Sequence, residues 1–480
     1  MQDLKKNFFY SSILTSANYI FPLLTYPYVS RVLGVTNIGI CNFIDSIINY
    51  YVLFSAMGIL SVGIREVAAS RNDRQSLSKT FSSLLCLNAV STTIVLVLLV
   101  ISIFTVDRLY EYKELMFVGF FKVLANYLLI EWFYKGIEDF KYITMCNLFT
   151  KVLYVVGVFV FVRESADYGI YYLLSMLMIA GSAFINLVHS RKFVDFSIHG
   201  ISLKPYIPAF LILGIYFLLT SMYTTFNVTY LGFVCGETEV GYYSTATKLH
   251  SIFLALFTAF TGVMMPRMSA LASEGLFDEL RTLFAKSLHV LFVFSIPVII
   301  IAVVFAPQIV YVISGPGYED AVHPMRIVMP LILIIGYEQI AVIQVLMPLK
   351  KDRAIFINSA VGAFVGLLAN ILLVGCLKSV GSALVWLASE LVVLSLSAYY
   401  LKKYVNLDFP FKELFKYISL SIPCVILSGL IYEVVPNKIV SLLSGALVVS
   451  AYYYVLYVKV MKDPLILSLL QRISKTAPKG

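Results

Sequence analysis

Charged residues are scarce in this chain of 480 residues. Lys, Arg, Asp and Glu make up only 13% of it, about half of the ~25% typical of soluble domains. Hydrophobic residues make up 60%, and the mean hydropathy is +0.88. A soluble protein of this composition could not cover its surface with polar groups, and a disordered chain requires low hydrophobicity. The composition therefore indicates a polytopic membrane protein.

Motifs of metal, nucleotide and disulfide chemistry are also missing. The six cysteines are scattered without a CxxC pair, which argues against a disulfide framework or a thiolate metal site. There is no HExxH, no P-loop and no GxGxxG. Most ATPases, zinc enzymes and nucleotide-dependent dehydrogenases are therefore disfavoured, and we expect neither a cofactor nor a bound metal.

Long apolar segments are what the sequence does contain. A membrane-crossing helix needs ~20 mostly apolar residues, and no ten-residue strands of alternating pattern occur, which argues against a β-barrel. The expected fold is all-α, with fourteen transmembrane helices. The predicted segments are 8–33, 37–63, 81–105, 115–134, 140–162, 169–188, 206–233, 240–266, 287–313, 325–347, 354–377, 380–401, 417–435 and 439–459.

The basic residues set the expected orientation. With the N-terminus placed in the cytoplasm, 26 of the 36 Lys and Arg residues fall in cytoplasmic loops or tails, six fall outside and four lie within spans. The positive-inside rule therefore predicts fourteen crossings with both termini cytoplasmic. The same distribution accounts for the net charge of +9, so we expect no nucleic-acid partner.

A weak internal repeat predicts the domain organisation. Residues 28–68 align without gaps with residues 230–270, so helices 1–2 resemble helices 7–8. An offset of six helices preserves orientation and predicts a parallel pseudo-two-fold repeat. We expect an N-terminal lobe at 1–200 (helices 1–6), a C-terminal lobe at 201–404 (helices 7–12), and helices 13–14 with a cytoplasmic tail at 405–480. The identities are Tyr28/Tyr230, Val32/Val234, Gly34/Gly236, Thr36/Thr238, Gly39/Gly241, Arg65/Arg267 and Ala68/Ala270.

Two polar stripes fall on the repeated helices. Each has the spacing i, i+3, i+4, i+7, which places its members on one helix face. The two sets coincide under the 202-residue offset, so both are expected to line one cavity between the lobes. They are Asn42, Asp45, Ser46 and Asn49 in helix 2, and Ser244, Thr247, Lys248 and Ser251 in helix 8.

Basic residues inside the spans suggest the chemistry of the ligand. Arg31, Lys122 and Lys151 belong to the N-terminal lobe, and Lys248 faces them from the other lobe. Intramembrane charges are costly and usually face a cavity or a partner, and Lys and Arg bind phosphate oxygens strongly. These four residues are therefore predicted to bind an anionic headgroup. In the simpler alternative Arg31 reaches the outer headgroups by snorkelling, which Lys122 and Lys248 achieve only under strain.

Three acids remain as candidates for gating or proton coupling. They are Asp45, Glu338 and Glu390, and the last two lie near mid-depth of helices 10 and 12. The alternative for Asp45 is a structural ion pair with Lys248 or Arg31. The alternative for Glu338 and Glu390 is packing in the protonated form.

Several short motifs in their order along the chain resemble bacterial polysaccharide-unit flippases of the O-antigen or capsule (Wzx) type. These belong to the multidrug/oligosaccharidyl-lipid/polysaccharide exporter superfamily. One departure is Ser382, where relatives more often have Ala. The motifs are Ser30-Arg31-Val32-Leu33-Gly34, Gly39, Arg65-Glu66-Val67-Ala68, Glu131-Trp132-Phe133-Tyr134-Lys135-Gly136-Ile137-Glu138-Asp139, Val240-Gly241-Tyr242-Tyr243-Ser244, and Gly381-Ser382-Ala383 leading to Glu390.

The resemblance implies alternating access by two six-helix lobes in the bacterial cytoplasmic (inner) membrane. The implied cargo is an undecaprenyl-pyrophosphate-linked oligosaccharide, moved from the cytoplasmic to the periplasmic leaflet. Its headgroup passes through the cavity and its tail stays in the bilayer, with helices 13–14 offering a groove. Asp45 is expected to pair with a base when cargo is absent. Implied partners are the polyprenyl-linked glycan, membrane lipids and other polysaccharide assembly proteins.

Other functions stay open at this point. The sequence hardly distinguishes a lipid II flippase from a polysaccharide-unit flippase. Fourteen helices and buried basic residues argue against a drug/cation antiporter of the same superfamily. A membrane glycan polymerase or ligase would carry a large external loop, and the longest one here has about a dozen residues. No nucleophile–base constellation is visible, so we expect a transporter and not an enzyme.

Overall fold

A computed structural model describes residues 2–196, 201–221, 225–464 and 466–467. This part of the chain is helical and contains no strand, which confirms the all-α prediction. Short π-helical turns at Ile340–Leu346, Asn370–Val374 and Leu456–Val460 interrupt or end longer helices. The α-helices are α1 Gln2–Ala56, α2 Ile59–Ser70, α3 Arg74–Thr105, α4 Asp107–Glu111, α5 Lys113–Leu128, α6 Glu131–Gly136, α7 Phe140–Phe161, α8 Tyr168–Ser190, α9 Ile207–Ser221, α10 Thr225–Cys235, α11 Glu237–Ser273, α12 Phe277–Val304, α13 Ala306–Ser314, α14 Val322–Val328, α15 Leu331–Gln339, α16 Asp352–Ala369, α17 Gly375–Val405, α18 Phe411–Val434 and α19 Lys438–Val455.

Ten helical stretches in the described ranges are long and apolar enough to cross a membrane. The number becomes 11 if α11 counts as one span, because its parts Glu237–Ala255 and Phe260–Ser273 meet at 45°. The chain is therefore a multi-pass helical protein, as predicted. Among the described residues, most positions of the predicted segments are helical, and the count of fourteen stays a prediction.

Two very long stretches explain part of the difference in number. Ile20–Ser70 has 51 residues and Asp352–Val405 has 54. The first covers much of segment 8–33 and all of 37–63, and the second contains 354–377 and 380–401. At 1.5 Å per residue each would extend more than about 75 Å if straight, against a hydrocarbon core of ~30 Å. Each also contains a residue with non-helical dihedral angles, Gly34 (φ 76°, ψ 170°) in the first and Lys378 (φ 52°, ψ −129°) in the second.

Side-chain caps fix where several helices begin. Asp73 accepts hydrogen bonds from the backbone amides of Gln75 and Ser76 at the start of α3. Asn437 caps α19 in the same way, and Asp139 caps α7 through the amide of Tyr142. Asp and Asn are favoured at this position because their side chains satisfy amides that the first turn leaves unpaired.

The repeated segments meet each other directly. Gly236 precedes α11 with φ 88° and ψ 176°, close to the conformation of Gly34, its equivalent in the repeat. The hydroxyls of the equivalent residues Thr36 and Thr238 lie 3.0 Å apart. The second half of α1 and the first half of α11 therefore cross at a point where the same residues of both copies touch.

Two glycines make this crossing close. A Cβ atom on Gly39 would lie 1.8 Å from the carbonyl oxygen of Glu237, and one on Gly241 would lie 2.3 Å from that of Val35. Gly241 is the equivalent of Gly39 in the repeat, and Glu237 is the equivalent of Val35. The two contacts therefore join equivalent positions, with the two copies exchanged. This local arrangement is that of a two-fold contact, and the symmetry of whole lobes stays a prediction.

The last two helices pack on the C-terminal half. α18 and α19 contact each other, and both contact α12, while α19 also contacts α13. The largest buried apolar cluster contains residues of both halves, among them Phe43, Ile44, Tyr243 and Phe305. The predicted boundaries 1–200, 201–404 and 405–480 stay a prediction.

Candidate functional site

A cavity of about 360 Å³ lies between α1 and α11. All eight residues of the two predicted polar stripes line it: Asn42, Asp45, Ser46, Asn49, Ser244, Thr247, Lys248 and Ser251. The helical spacing of each stripe and the crossing of α1 with α11 bring them together. The remaining lining residues, Thr225, Val228, Tyr243 and Trp386, were not expected from the sequence.

Lys248 is the basic residue that lines this cavity. Its Nζ donates to Asn42 Oδ1 at 3.0 Å and lies 4.7 Å from the ring centre of Tyr26. A neutral amide oxygen and an aromatic face stabilise an ammonium group without cancelling its charge. Neither contact pairs Lys248 with a carboxylate, so its amino group can meet an anion in the cavity.

Asp45, the acid of the cavity, is paired with Lys122. Lys122 Nζ donates to Asp45 Oδ1, and Asn49 Nδ2 donates to Oδ2 at 3.3 Å. The Lys122 side chain is only 11% exposed, against 33% for that of Asp45. Lys122 thus lies behind the cavity wall, and the base that pairs with Asp45 is neither Lys248 nor Arg31.

Lys151 is held by the first half of α1. Its Nζ donates to Asn18 Oδ1 between α7 and the first half of α1. Nearby, Asn147 Nδ2 lies 3.4 Å from Glu131 Oε1, and Lys135 forms an ion pair of 2.8 Å with the same carboxylate. Lys151 therefore belongs to a second polar group of the N-terminal half and does not line the cavity.

Arg31 contacts the opposite half of the protein near Gly34. Its Nη2 donates to the carbonyl oxygen of Val312, and its Cγ lies 2.9 Å from where a Cβ would stand on Gly315. The side chain is exposed on its other side. The structure therefore does not bring the four predicted basic residues into one site.

Polar contacts between the halves close the end of the cavity near Gly34, which the charge distribution predicts to be the outer end. Arg108 Nη2 donates to Glu237 Oε1 at 2.6 Å across the two halves. Burial raises the pKa of the Tyr112 phenol, and its hydrogen bond to Glu237 acts in the same direction. Tyr112 therefore stays a neutral donor at this end. Sequence reasoning treated Arg108 only as a loop charge, because its partner lies 129 positions away.

A corresponding pair of contacts supports each repeated segment within its own half. Asn37 Nδ2 donates to the carbonyl oxygen of Ser165 at 2.7 Å. Glu239, the equivalent of Asn37, accepts from the amide of Ser379 at 3.2 Å and pairs with Lys378 at 3.4 Å. Each contact joins the residues just after Gly34 or Gly236 to a segment further along the same half, a short 3-10 turn in one case and α17 in the other.

The two other predicted acids lie together in the C-terminal half. Glu338 on α15 and Glu390 on α17 are buried, and their carboxyl groups are within hydrogen-bonding reach of each other. Such a bond needs a proton on one of the two. Trp386 Nε1 donates to Glu390 Oε1 at 2.8 Å, and Trp386 also lines the cavity. Its indole ring therefore connects the acid pair to the cavity.

The family of the chain is decided by comparison with known families. The model of the family described as "Polysaccharide biosynthesis protein" matches residues 4–272, which is more than half of the chain. The chain belongs to this family. The resemblance seen in the sequence motifs is thereby confirmed, and a second family model, MatE, matches residues 212–372.

A relative that covers most of the chain is distant in sequence. A protein of Escherichia coli (strain K12) that is provisionally assigned as an O-antigen transporter is 26% identical over 408 residues, covering 82% of this chain and 95% of the relative. This level of identity preserves the fold more reliably than the residues of a site.

Solved structures support the same fold. The lipid II flippase MurJ, in an inward closed conformation, has a TM-score of 0.75 at 15% identity and covers 94% of this chain and 99% of its own. An inward-facing multidrug resistance MATE family transporter of the MOP superfamily has a TM-score of 0.64 at 14% identity, covering 82% and 98%. The chain therefore has the MurJ- and MATE-like fold.

Proposed function

We propose that this protein is a flippase that moves a polyprenyl-pyrophosphate-linked oligosaccharide from the cytoplasmic to the periplasmic leaflet of the bacterial inner membrane. It works by alternating access and is not an enzyme. The observation that carries the proposal is the polar cavity between the repeated helices, where Lys248 contacts a neutral amide and Asp45 is paired with Lys122. The name of the Escherichia coli relative supports the class of cargo.

The cavity suits the headgroup of such a cargo. Hydroxyl and amide side chains supply most of its polar lining. Because these groups both donate and accept hydrogen bonds, they can pair with the hydroxyl groups of a sugar. Lys248 supplies a charge for the pyrophosphate, since bonds between an ammonium group and phosphate oxygens are strong. We assign Lys248 the first contact with the phosphate.

The other predicted bases take separate positions along the path. Lys151 lies with Asn18 and draws the anionic headgroup toward the N-terminal half. Lys122 becomes available when Asp45 turns away from it. Arg31 belongs to the contacts near Gly34 that break when the outer end opens. These roles follow from the placement of the residues and from the cargo proposed.

The acid pair supplies a route for coupling to protons. Glu338 and Glu390 are both buried, so we infer that the pair holds at least one proton. Trp386 donates to Glu390 and also lines the cavity, which places the pair next to it. Loss of that proton leaves two close negative charges in a low-dielectric interior, which favours a different packing of α15 against α17. We therefore propose proton coupling in the C-terminal half.

The test is deletion of the gene followed by mass analysis of undecaprenyl-linked sugars in intact cells and spheroplasts. A complete oligosaccharide unit should accumulate on the cytoplasmic face while surface polysaccharide disappears. Complementation with Lys248→Ala should fail at normal protein level. Lys248→Arg should restore part of the export, and the exposed control Lys416→Ala should restore all of it.

Two results would replace the proposal. Accumulation of lipid II instead of the oligosaccharide unit identifies a lipid II flippase, a function for which the fold likeness to MurJ is the specific observation. If no lipid-linked intermediate accumulates and sensitivity to cationic drugs rises, the protein is a drug/cation antiporter. The assignment of Lys248 to a phosphate is then wrong.

A further inference from the structure

A long apolar groove of about 780 Å³ runs beside the polar cavity. It is formed by the second half of α1, by α3 and by the pair α9–α10, so that it lies where the two halves meet. None of its lining residues is charged. They are Ile47, Tyr50, Tyr51, Phe54, Met57, Ser91, Ile94, Val95, Leu98, Ile101, Ser102, Thr105, Val106, Leu109, Phe210, Leu211, Thr229 and Phe233.

The groove is long on the scale of a membrane's thickness. Its lining residues on α3 run from Ser91 to Thr105 and recur every three or four positions, which is one face of the helix. This stretch corresponds to about 21 Å along the axis, against a hydrocarbon core of ~30 Å. Ile94, Leu98 and Ile101 on this face are each more than half exposed. A long apolar ligand lying in the groove would cover them.

A thin wall separates the groove from the cavity. The hydroxyl of Ser46, which lines the cavity, lies 2.8 Å from that of Thr229, which lines the groove. Next along α1, Asn49 faces the cavity and Tyr50 faces the groove. A molecule with a polar head and an apolar tail can therefore place its two parts on opposite sides of the Ser46–Thr229 contact.

A second groove at the equivalent position of the repeat differs in size and character. It lies between the first half of α1 and α11 and has a volume of about 260 Å³. Leu23 and Ile252 line it, but so does Lys248. An ammonium group at the wall makes this groove less suited to a hydrocarbon chain.

We propose that the groove between α1, α3 and α9–α10 holds the polyprenyl chain of the cargo while its headgroup occupies the cavity. This inference rests on the proposed function and names where the lipid part binds. The sequence resemblance implied a groove for the tail at helices 13 and 14, which correspond to α18 and α19. None of the residues that line the groove proposed here belongs to these two helices.

The test compares two neighbouring residues of α3. Leu98 lines the groove, whereas Val97 does not, and their exposures are 52% and 55%. Leu98→Trp fills the groove, and Val97→Trp is the matched control facing lipid. Both variants and the wild type are reconstituted into phosphatidylethanolamine–phosphatidylglycerol vesicles. Transbilayer movement is measured for two fluorescent sugar pyrophosphates, one on an undecaprenyl chain and one on a short-chain prenyl group.

The proposal expects Leu98→Trp to slow movement of the long-chain probe about tenfold, the equivalent of ~1.4 kcal/mol. Val97→Trp should stay within about twofold of the wild type, and the short-chain probe should be unaffected by either change. Equal rates for Leu98→Trp and Val97→Trp overturn the proposal. So does a loss of long-chain transport produced by Leu23→Trp in the smaller groove but not by Leu98→Trp.

Failure of the proposed function gives a different result. In that case the wild type moves neither probe faster than the probes cross protein-free vesicles, and the proposed tail site is overturned together with the function. A wild type that moves both probes, combined with an unimpaired Leu98→Trp, overturns only the tail site.

Discussion

Substituting Gly39 tests whether the backbone contact between the repeated segments closes one end of the cavity. In Gly39→Ala the new Cβ would lie 1.8 Å from the carbonyl oxygen of Glu237. An unstrained C···O contact needs ~3.4 Å, so α1 and α11 must separate by about 1.6 Å. The closed arrangement near Gly34 is therefore disfavoured, and the open arrangement is not.

The size of the effect follows from the cost of overpacking. Forcing an extra carbon into a well-packed contact costs about 1–3 kcal/mol. Applied to one of two conformations, this shifts their ratio about 5–150-fold. Gly241→Ala, whose Cβ would lie 2.3 Å from the Val35 carbonyl oxygen, needs a smaller separation. It should shift the ratio in the same direction by less.

Cross-linking measures the closed population. Thr36→Cys and Thr238→Cys, introduced into a chain whose six cysteines are replaced by serine, place two thiols where hydroxyls now lie 3.0 Å apart. Such a pair is close enough for a disulfide with little backbone movement. The wild-type background should cross-link efficiently, and Gly39→Ala should reduce the cross-linked fraction.

Gly262→Ala on α11 is the matched control for this measurement. A Cβ on Gly262 meets no atom within 4 Å among the residues that the structure describes, so cross-linking should be unchanged. If Gly39→Ala and Gly262→Ala cross-link equally, the close contact does not hold that end shut, and the reasoning is refuted.

Two further predictions concern buried charges. Lys122→Met leaves the Asp45 carboxylate without its cation and should lower the free energy of unfolding by about 1–3 kcal/mol. The double variant Lys122→Met/Asp45→Asn should recover the melting temperature. A double variant that is no more stable than Lys122→Met contradicts the pairing. Glu390→Gln should leave the melting temperature nearly unchanged, because an amide can replace a protonated carboxyl, but should remove the response of transport in vesicles to an imposed pH gradient. Retention of that response in both Glu390→Gln and Glu338→Gln excludes the acid pair from proton coupling.

Local patterns in the sequence indicated which polar residues share a helix face. The positions of Asn42, Asp45, Ser244 and Lys248 follow from helical spacing, and the 202-residue offset relates one pair to the other. The spacing is local to each helix and the offset comes from comparing the sequence with itself, so neither requires knowledge of the fold. The structure places all of these residues in one cavity.

Partners that come from distant parts of the chain were not predictable in this way. Asp45 pairs with Lys122, 77 positions away, and Arg108 pairs with Glu237 across the two halves. Spacing gives the face of a helix but not which neighbour it meets, which depends on how the helices pack. The groove was missed for the same reason, since Leu98 looks like any other lipid-facing residue until α9 and α10 are placed beside α3.

The contact of Gly39 and Gly241 with carbonyl oxygens separates two tasks within one pair of helices. The close contact of α1 with α11 depends on backbone atoms and on the absence of side chains at these two glycines. The cavity next to it is lined by side chains such as Asn42 and Thr247. Under the proposed function, side chains that face the cargo can therefore be exchanged without changing the backbone contact. Chains of this fold can keep the same contact between the repeated helices and differ in the surface that lines the cavity.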